Sequence, residues 1–254
     1  MAQSKVRVTI EDPVATITLA RPEKLNAIDP DMLCGLEESV TLIEDRTTVR
    51  VAILTGRGNR AFSVGADIHA WSALQPLDMW RKWIREGQRV LDRIARLRVP
   101  LIAAVNGFAF GGGLELALAA DIRLASTEAS FAMPEVTIGT VPGWGGTVRL
   151  PALIGPARAK EMILGGGRVD ATTAERWGLV NHVYPLTGLL AEAHSLANRI
   201  AENAPVAVQL AKELIAGGET SAEALAGALA ATTRDAQHGA ASFREKRPPA
   251  YKGQ

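Results

Sequence analysis

Asn106-Gly107-Phe108-Ala109-Phe110-Gly111-Gly112-Gly113-Leu114-Glu115-Leu116 is the stretch on which the reading of this chain turns. Leu101 to Val105 before it is an unbroken apolar run of strand length, and an alanine- and leucine-rich helical segment follows it to about Ala120. A buried strand that passes through glycines into a helix is a building unit of α/β folds. Three consecutive glycines at a helix start leave N–H groups unobstructed at the positive end of the helix dipole. Such a place suits an oxyanion that develops during a reaction. Glu115 follows one turn later on an otherwise apolar helix, where a carboxylate is costly unless it is paired or functional. A catalytic acid and a structural Glu favoured by the dipole fit this stretch equally well.

A second acid stands twenty positions on, in Phe131-Ala132-Met133-Pro134-Glu135-Val136. The run Ile138-Gly139-Thr140-Val141-Pro142-Gly143-Trp144-Gly145-Gly146-Thr147 follows, a second glycine-rich loop that opens the next helix. Two acids, each beside bare backbone N–H groups, could act as general base and general acid if their environments separate their roles. Upstream, Arg60-Ala61-Phe62-Ser63-Val64-Gly65-Ala66-Asp67-Ile68 follows a strand that ends at Leu54. A free N–H near Gly65-Ala66 would supply a second oxyanion donor; an ordinary turn explains the same residues.

The N-terminal part reads as a hairpin, Val6 to Ile10 and Val14 to Leu19 about Asp12-Pro13. A helix is expected over Asp29 to Glu44, with Asp29 as N-cap and Pro30 at the first helical position. Strands are expected at Val49 to Leu54, Leu101 to Val105, Ile122 to Ala125, Ser130 to Met133 and Val180 to Tyr184. A long Trp- and Arg-rich helical region runs from the Gly65-Ala66-Asp67 loop to about Leu97. Helices are expected near 157–164, 172–177, 186–202, 205–216 and 221–239. Strands with crossover helices first and helices last argue for an α/β core with a helical C-terminal extension, divided at 1–195 and 196–254.

The chain has 254 residues, 47% apolar and 22% charged, which excludes a disordered protein. A net charge of +1 gives no reason to expect nucleic acid or an anionic membrane as partner. Leu101 to Ala120 is too polar and too broken by glycine for a transmembrane helix. Met1 to Val6 lacks the features of a targeting segment, and with one cysteine no internal disulfide forms, so a cytoplasmic protein is expected. That cysteine, Cys34, is expected as a small buried hydrophobe. No G-x-G-x-x-G and no phosphate-loop motif occurs. His69, His182, His194 and His238 show no metal-ligand spacing, so no metal site is expected.

In this order, the segments resemble the enoyl-CoA hydratase/isomerase (crotonase) family over nearly the whole chain. The resemblance begins at Arg21-Pro22-Glu23-Lys24-Leu25-Asn26-Ala27. It continues through the Ala61 to Ile68 loop, Asn106-Gly107 with Gly111 to Glu115, and Pro134-Glu135 through Gly143. It ends at Phe243-Arg244-Glu245-Lys246-Arg247. It implies a spiral of β-β-α turns with a helical trimerisation region, and a homotrimer or a homohexamer built as a dimer of trimers. It implies an acyl-CoA thioester as substrate, with coenzyme A part of that substrate and no separate cofactor. The implied reaction is syn addition of water to a trans-2-enoyl-CoA, or the reverse dehydration.

Residue by residue, the N–H groups of Ala66 and Gly112 match an oxyanion hole. Glu115 matches the base on water, Glu135 the donor to the α-carbon, and the Gly143 N–H a donor to the water. Lys24, Arg60, Ala66, Asp67, Ile68 and His69 fall in or near segments that contact CoA. Phe243 and Lys246 match C-terminal residues that reach its nucleotide end. Val64, Trp144 and Val148 depart from the family's usual residues. An inward Trp144 would reshape the acyl pocket; an outward one would pack on the helix start. Trp71, Met79, Trp80 and Trp83 either line a pocket or fill the core. A double-bond isomerase, a serine hydrolase using Ser63 and a non-catalytic CoA-binding scaffold are the alternatives, because one fold hosts many chemistries.

Overall fold

Alternation of apolar residues sets the first elements, β1 (Val6–Glu11) and β2 (Val14–Leu19), which pair antiparallel with Val6 opposite Leu19. In the computed structural model, which describes residues 4–217 and 220–254, they form one edge of a six-stranded sheet. Met1 to Gln3 lie outside the described residues. Helix α1 (Pro30–Asp45) starts as expected: Asp29 accepts the Met32 N–H at 3.0 Å, and Pro30 occupies the first turn, where a missing N–H has no consequence. Its outer face carries Cys34, which is exposed, so the expectation of a buried cysteine is corrected.

The next elements are β3 (Val51–Gly56), β4 (Ala61–Ser63), α2 (Ile68–Trp71), α3 (Pro76–Asp78) and α4 (Arg85–Ala95). The long helix expected after Asp67 is thus broken: Pro76 starts a new turn, and Met79–Ile84 winds as a π-helix before α4. Then come β5 (Leu101–Val105), β6 (Phe108–Phe110), α5 (Gly112–Leu118), β7 (Ile122–Ser126) and β8 (Ser130–Ala132). After α6 (Gly146–Ile154) and α7 (Pro156–Gly165) follow β9 (Arg168–Asp170), α8 (Ala171–Trp177) and β10 (His182–Tyr184). The chain closes with α9 (Leu186–Ala201), α10 (Pro205–Gly217), α11 (Ser221–Ala231) and α12 (Arg234–Arg244).

The large sheet has the order β1-β2-β3-β5-β7-β10, parallel from β2 onward. A second sheet, β4-β6-β8-β9, is parallel except at β8 and β9. After the β1-β2 hairpin and α1, three successive turns (β3 and β4, β5 and β6, β7 and β8) each give a strand to the large sheet, a strand to the small one, and then helix. This is the β-β-α spiral. Alternate residues of the large sheet face two separate cores, as the period of two requires. Val51, Ile53, Ile102, Ala104 and Leu124 face Leu189, Ala193, Ala197 and Ala201 of α9. Ala52, Leu54, Ala103 and Val105 face the other core, with α1, α4 and α5.

Helix α9 runs across the division expected at 195/196, and the buried residues on both sides of it pack on the sheet. The single helix expected over 221–239 is two. Thr233 accepts the Ala236 N–H at 3.1 Å and so caps a new helix. Three strands of the small sheet, β4, β6 and β9, escape sequence reading; β8, equally short, was expected as part of Ser130 to Met133, so length alone does not decide.

Candidate active site

Between α2, the π-helical Met79–Ile84, the start of α5 and the loop from Pro134 to Trp144 lies a cavity of about 210 Å³. Ala66, Gly112, Glu115, Glu135, Gly143 and Trp144 all line it, with Val64, Ile68, Trp71, Met79, Trp83 and Ile84 on its apolar side. Segments eighty residues apart in sequence therefore meet in one place.

The oxyanion loop is held from below. Ile28 donates to the Gly65 carbonyl at 2.7 Å and accepts from the Asp67 N–H at 2.7 Å, which brackets Ala66. Among the described residues, neither the Ala66 nor the Gly112 N–H donates to a carbonyl of the chain. The two are neighbours: a methyl group placed on Gly112 would stand 3.4 Å from the Ala66 nitrogen. Val64 joins the cavity wall.

The Arg21 to Ala27 segment is the brace. Asn26, fully buried, accepts the Arg21 N–H at 2.9 Å and donates to the Ala61 carbonyl at 2.9 Å. Ser63 Oγ donates to the Asn26 carbonyl at 2.8 Å and accepts the Gly65 N–H at 3.1 Å. Fully buried and occupied in this way, Ser63 is no nucleophile, which corrects the serine-hydrolase alternative. Asp67 accepts the His69 N–H as cap of α2 and pairs with Arg21 at 2.7 Å. Its carboxylate is thus part of the brace.

Glu115 is 2% exposed, in the first turn of α5. Its Oε1 accepts the N–H of Trp144 at 2.7 Å and of Gly146 at 2.8 Å. These donors belong to the start of α6, so the carboxylate sits at a helix N-terminus. Burial pushes Glu115 above the usual carboxylate range. The Gly146 and Trp144 N–H groups, the Arg149 charge and the Gly143 N–H pull against it. A glycine-rich loop was expected to offer bare N–H groups; that two of them serve Glu115 was not legible in the sequence.

Glu135 opens the turn Glu135–Ile138. Its Oε1 lies so near Gly111 that a methyl group there would come within 2.8 Å, and Gly111 has φ +50°, so only glycine fits. Its Oε2 is buried and has no partner among the described residues. Burial pushes Glu135 up to about 7; its own N–H opposes this, and the charge of Glu115 adds to it. The two acids thus differ in environment: Glu115 Oε1 accepts two N–H groups from the start of α6, whereas Glu135 has only its own N–H and an Oε2 with no partner among the described residues.

Trp144 turns inward and is 3% exposed, beside Trp83 with ring centroids 5.4 Å apart. Of the remaining aromatic segment, Trp71 and Met79 line the cavity with Trp83, while Trp80 is 53% exposed. Val148 is exposed. Ile68 stands at the rim, half-exposed, and His69 beside it is exposed. Lys24 and Arg60 are exposed, Arg60 in a small surface pocket with Pro22, Leu25 and Arg57. Phe243 is 86% exposed on α12, and Lys246 follows that helix; neither lines the cavity. Gly87, in α4 against the Trp144 ring, belongs to the site and was missed. A glycine inside an otherwise helical pattern was its only signal.

A sequence model described as enoyl-CoA hydratase/isomerase matches residues 9–254. The crotonyl-CoA hydratase of Syntrophomonas wolfei is 38% identical over 254 residues, covering 97% of both chains. The carnitinyl-CoA dehydratase of Citrobacter koseri is 41% identical over 256 residues, covering 96% of this chain and 97% of that one. The crystal structure of an enoyl-CoA hydratase from Bacillus anthracis superposes with a TM-score of 0.94 at 38% identity, over 98% of this chain and 100% of that one. With its spiral fold and its two acids in one cavity, the chain belongs to the enoyl-CoA hydratase/isomerase (crotonase) family.

Proposed function

We propose that the protein is a hydro-lyase that adds water syn across the double bond of a trans-2-enoyl-CoA to give a 3-hydroxyacyl-CoA, or runs the reverse dehydration. The observation that carries this reading is the pair of unlike carboxylates, Glu115 and Glu135, in one apolar cavity beside two unspent N–H groups. Water addition to a conjugated thioester builds enolate charge on the carbonyl oxygen. The Ala66 and Gly112 N–H groups stabilise that charge more in the transition state than in the substrate. Glu115, whose burial raises its pKa and makes it a stronger base while the α6 donors hold its carboxylate in place, takes a proton from water. The Gly143 N–H positions that water. Glu135, near half-protonated at neutral pH, delivers a proton to the α-carbon. No cofactor beyond the substrate's own coenzyme A enters this scheme.

Lys24, Arg60, Ile68 and His69, all exposed, and the loop carrying Asp67 are the residues proposed to meet the CoA. Phe243 and Lys246 would reach a nucleotide only in an assembly, as a homotrimer or dimer of trimers. An exposed apolar face on α10 and α11, with Ile215 84% and Leu225 77% exposed, supports such an assembly. The likeness to a carnitinyl-CoA dehydratase favours dehydration as the second reading.

Glu115→Gln and Glu135→Gln test the scheme. Each is expected to reduce crotonyl-CoA hydration by about 10²–10⁴-fold. An isomerase would need Glu135 and tolerate Glu115→Gln. A binding scaffold would retain CoA affinity with no turnover on any enoyl thioester. Hydration at the wild-type rate by either variant would defeat the paired-acid mechanism.

A further inference from the structure

Trp144 gives the site its backbone and its side chain separately. Its amide N–H rests on Glu115 Oε1 at 2.7 Å, while its indole fills the gap between α4 and α5. At one edge, a methyl group on Gly112 would come within 2.7 Å of Cζ3. At the other, a methyl group on Gly87 would come within 2.0 Å of Nε1 and 2.2 Å of Cε2. Trp83 leans on the ring at 54°. Gly87 lies inside α4, where glycine is a poor helix former, and any side chain there would occupy the place of the indole. The ring is therefore fixed from three sides, by α4, by α5 and by Trp83.

On the hydration reading above, the thioester oxygen sits at the Ala66 and Gly112 N–H groups and the double bond lies between Glu115 and Glu135. The indole touches Gly112, its own amide holds Glu115, and the residue lines the cavity, so it forms part of the wall next to the place assigned to the reacting carbons. The geometry points to Trp144, seated by Gly87, as the residue that closes the acyl end and restricts the enzyme to short-chain enoyl thioesters of the crotonyl class. A longer alkyl tail meets the ring before it clears the cavity.

The test measures chain-length selectivity twice, by turnover and by binding. Hydration of crotonyl-, hexenoyl- and octenoyl-CoA is followed by loss of the conjugated-thioester absorbance. Binding of butyryl- and octanoyl-CoA, which cannot be hydrated, is followed by calorimetry. Wild type is expected to favour the shortest member in both. Trp144→Leu is expected to raise the octenoyl-to-crotonyl ratio of kcat/KM at least about tenfold, since even one methylene in an apolar pocket is worth that much. The octanoyl-to-butyryl affinity ratio moves the same way. Trp144→Phe, a gentler change to the core, moves both ratios in the same direction by less. Gly87→Ala lowers crotonyl-CoA turnover, and Gly87→Ala combined with Trp144→Leu recovers to the level of Trp144→Leu alone, because the ring no longer needs the space.

Equal ratios in wild type and both Trp144 variants would overturn the proposal, and so would a wild type that prefers octenoyl-CoA. Chain-selective binding with no hydration of any thioester would support the acyl limit and defeat the hydration reading. Hydration without chain selectivity would do the reverse.

Discussion

Glu135 shows how one residue can be adverse to the fold and useful to the site. Its folded-state pKa of about 7 lies above the ordinary value of 4.5, chiefly because burial disfavours the anion. The neutral form is therefore favoured by folding. Its contribution is fully present below about pH 4.5 and is lost as pH rises through 7. The linkage amounts to on the order of 3 kcal/mol for a shift of this size. Glu135→Gln is expected to melt higher than wild type above pH 7, with the gap closing toward pH 4.5, in paired thermal melts. A constant gap across that window would mean that Glu135 is not strained. On the proposed mechanism the same protonation sets activity. As proton donor Glu135 must be neutral, so hydration kcat/KM is expected to fall as pH rises through about 7. The sequence showed the residue and its glycine neighbours; that Oε2 finds no partner among the described residues is a property of packing alone.

At the scale of elements, the start of α6 is positioned by α4. Arg149 donates to the Trp144 carbonyl at 2.9 Å and pairs with Asp92 of α4. The loop whose N–H groups hold Glu115 is thus tied to the helix that carries Gly87. Arg149 also lowers the pKa of Glu115 through its charge. Arg149→Met is expected to reduce kcat by about tenfold to a hundredfold, because small displacements of a reacting group are costly. It also moves the acid limb of the pH profile, where Glu115 becomes protonated, to higher pH. A change in KM alone, with the limb in place, would make Arg149 a merely structural clamp. Elements with long periodic signals, such as α1 with its Asp29 and Pro30, were legible in full. Those set by competing local rules were not: the π-helical Met79–Ile84 and the break at Thr232 and Thr233 follow from packing and from a Thr cap.

At the scale of the molecule, α9 belongs to the core, whereas α10 and α11 bury none of their described apolar side chains fully. Leu210, Leu214, Leu225 and Leu229 form a groove between these two helices. Lys212, which pairs with Asp121 at 2.8 Å and donates to the Val99 carbonyl at 3.0 Å, ties α10 to the core. Apolar surface of this kind marks an interaction site. If the proposed trimer or hexamer uses it, Leu225→Glu shifts the molar mass measured by light scattering toward the monomer. An unchanged mass would place the subunit contacts elsewhere.

The sequence by itself determined the α/β class, most strands of the large sheet and the two candidate acids beside glycine-rich loops. Apolar runs, helix caps and glycine clusters are local signals, readable one segment at a time. It also yielded the family, because five motifs occur in the expected order. Only the tertiary structure decided that Ala66 lies beside Gly112, that the α6 donors serve Glu115, and that Trp144 turns inward onto Gly87. Each of these is a contact between distant segments. It depends on how the strands of the small sheet pair across long separations in sequence, which no single segment encodes.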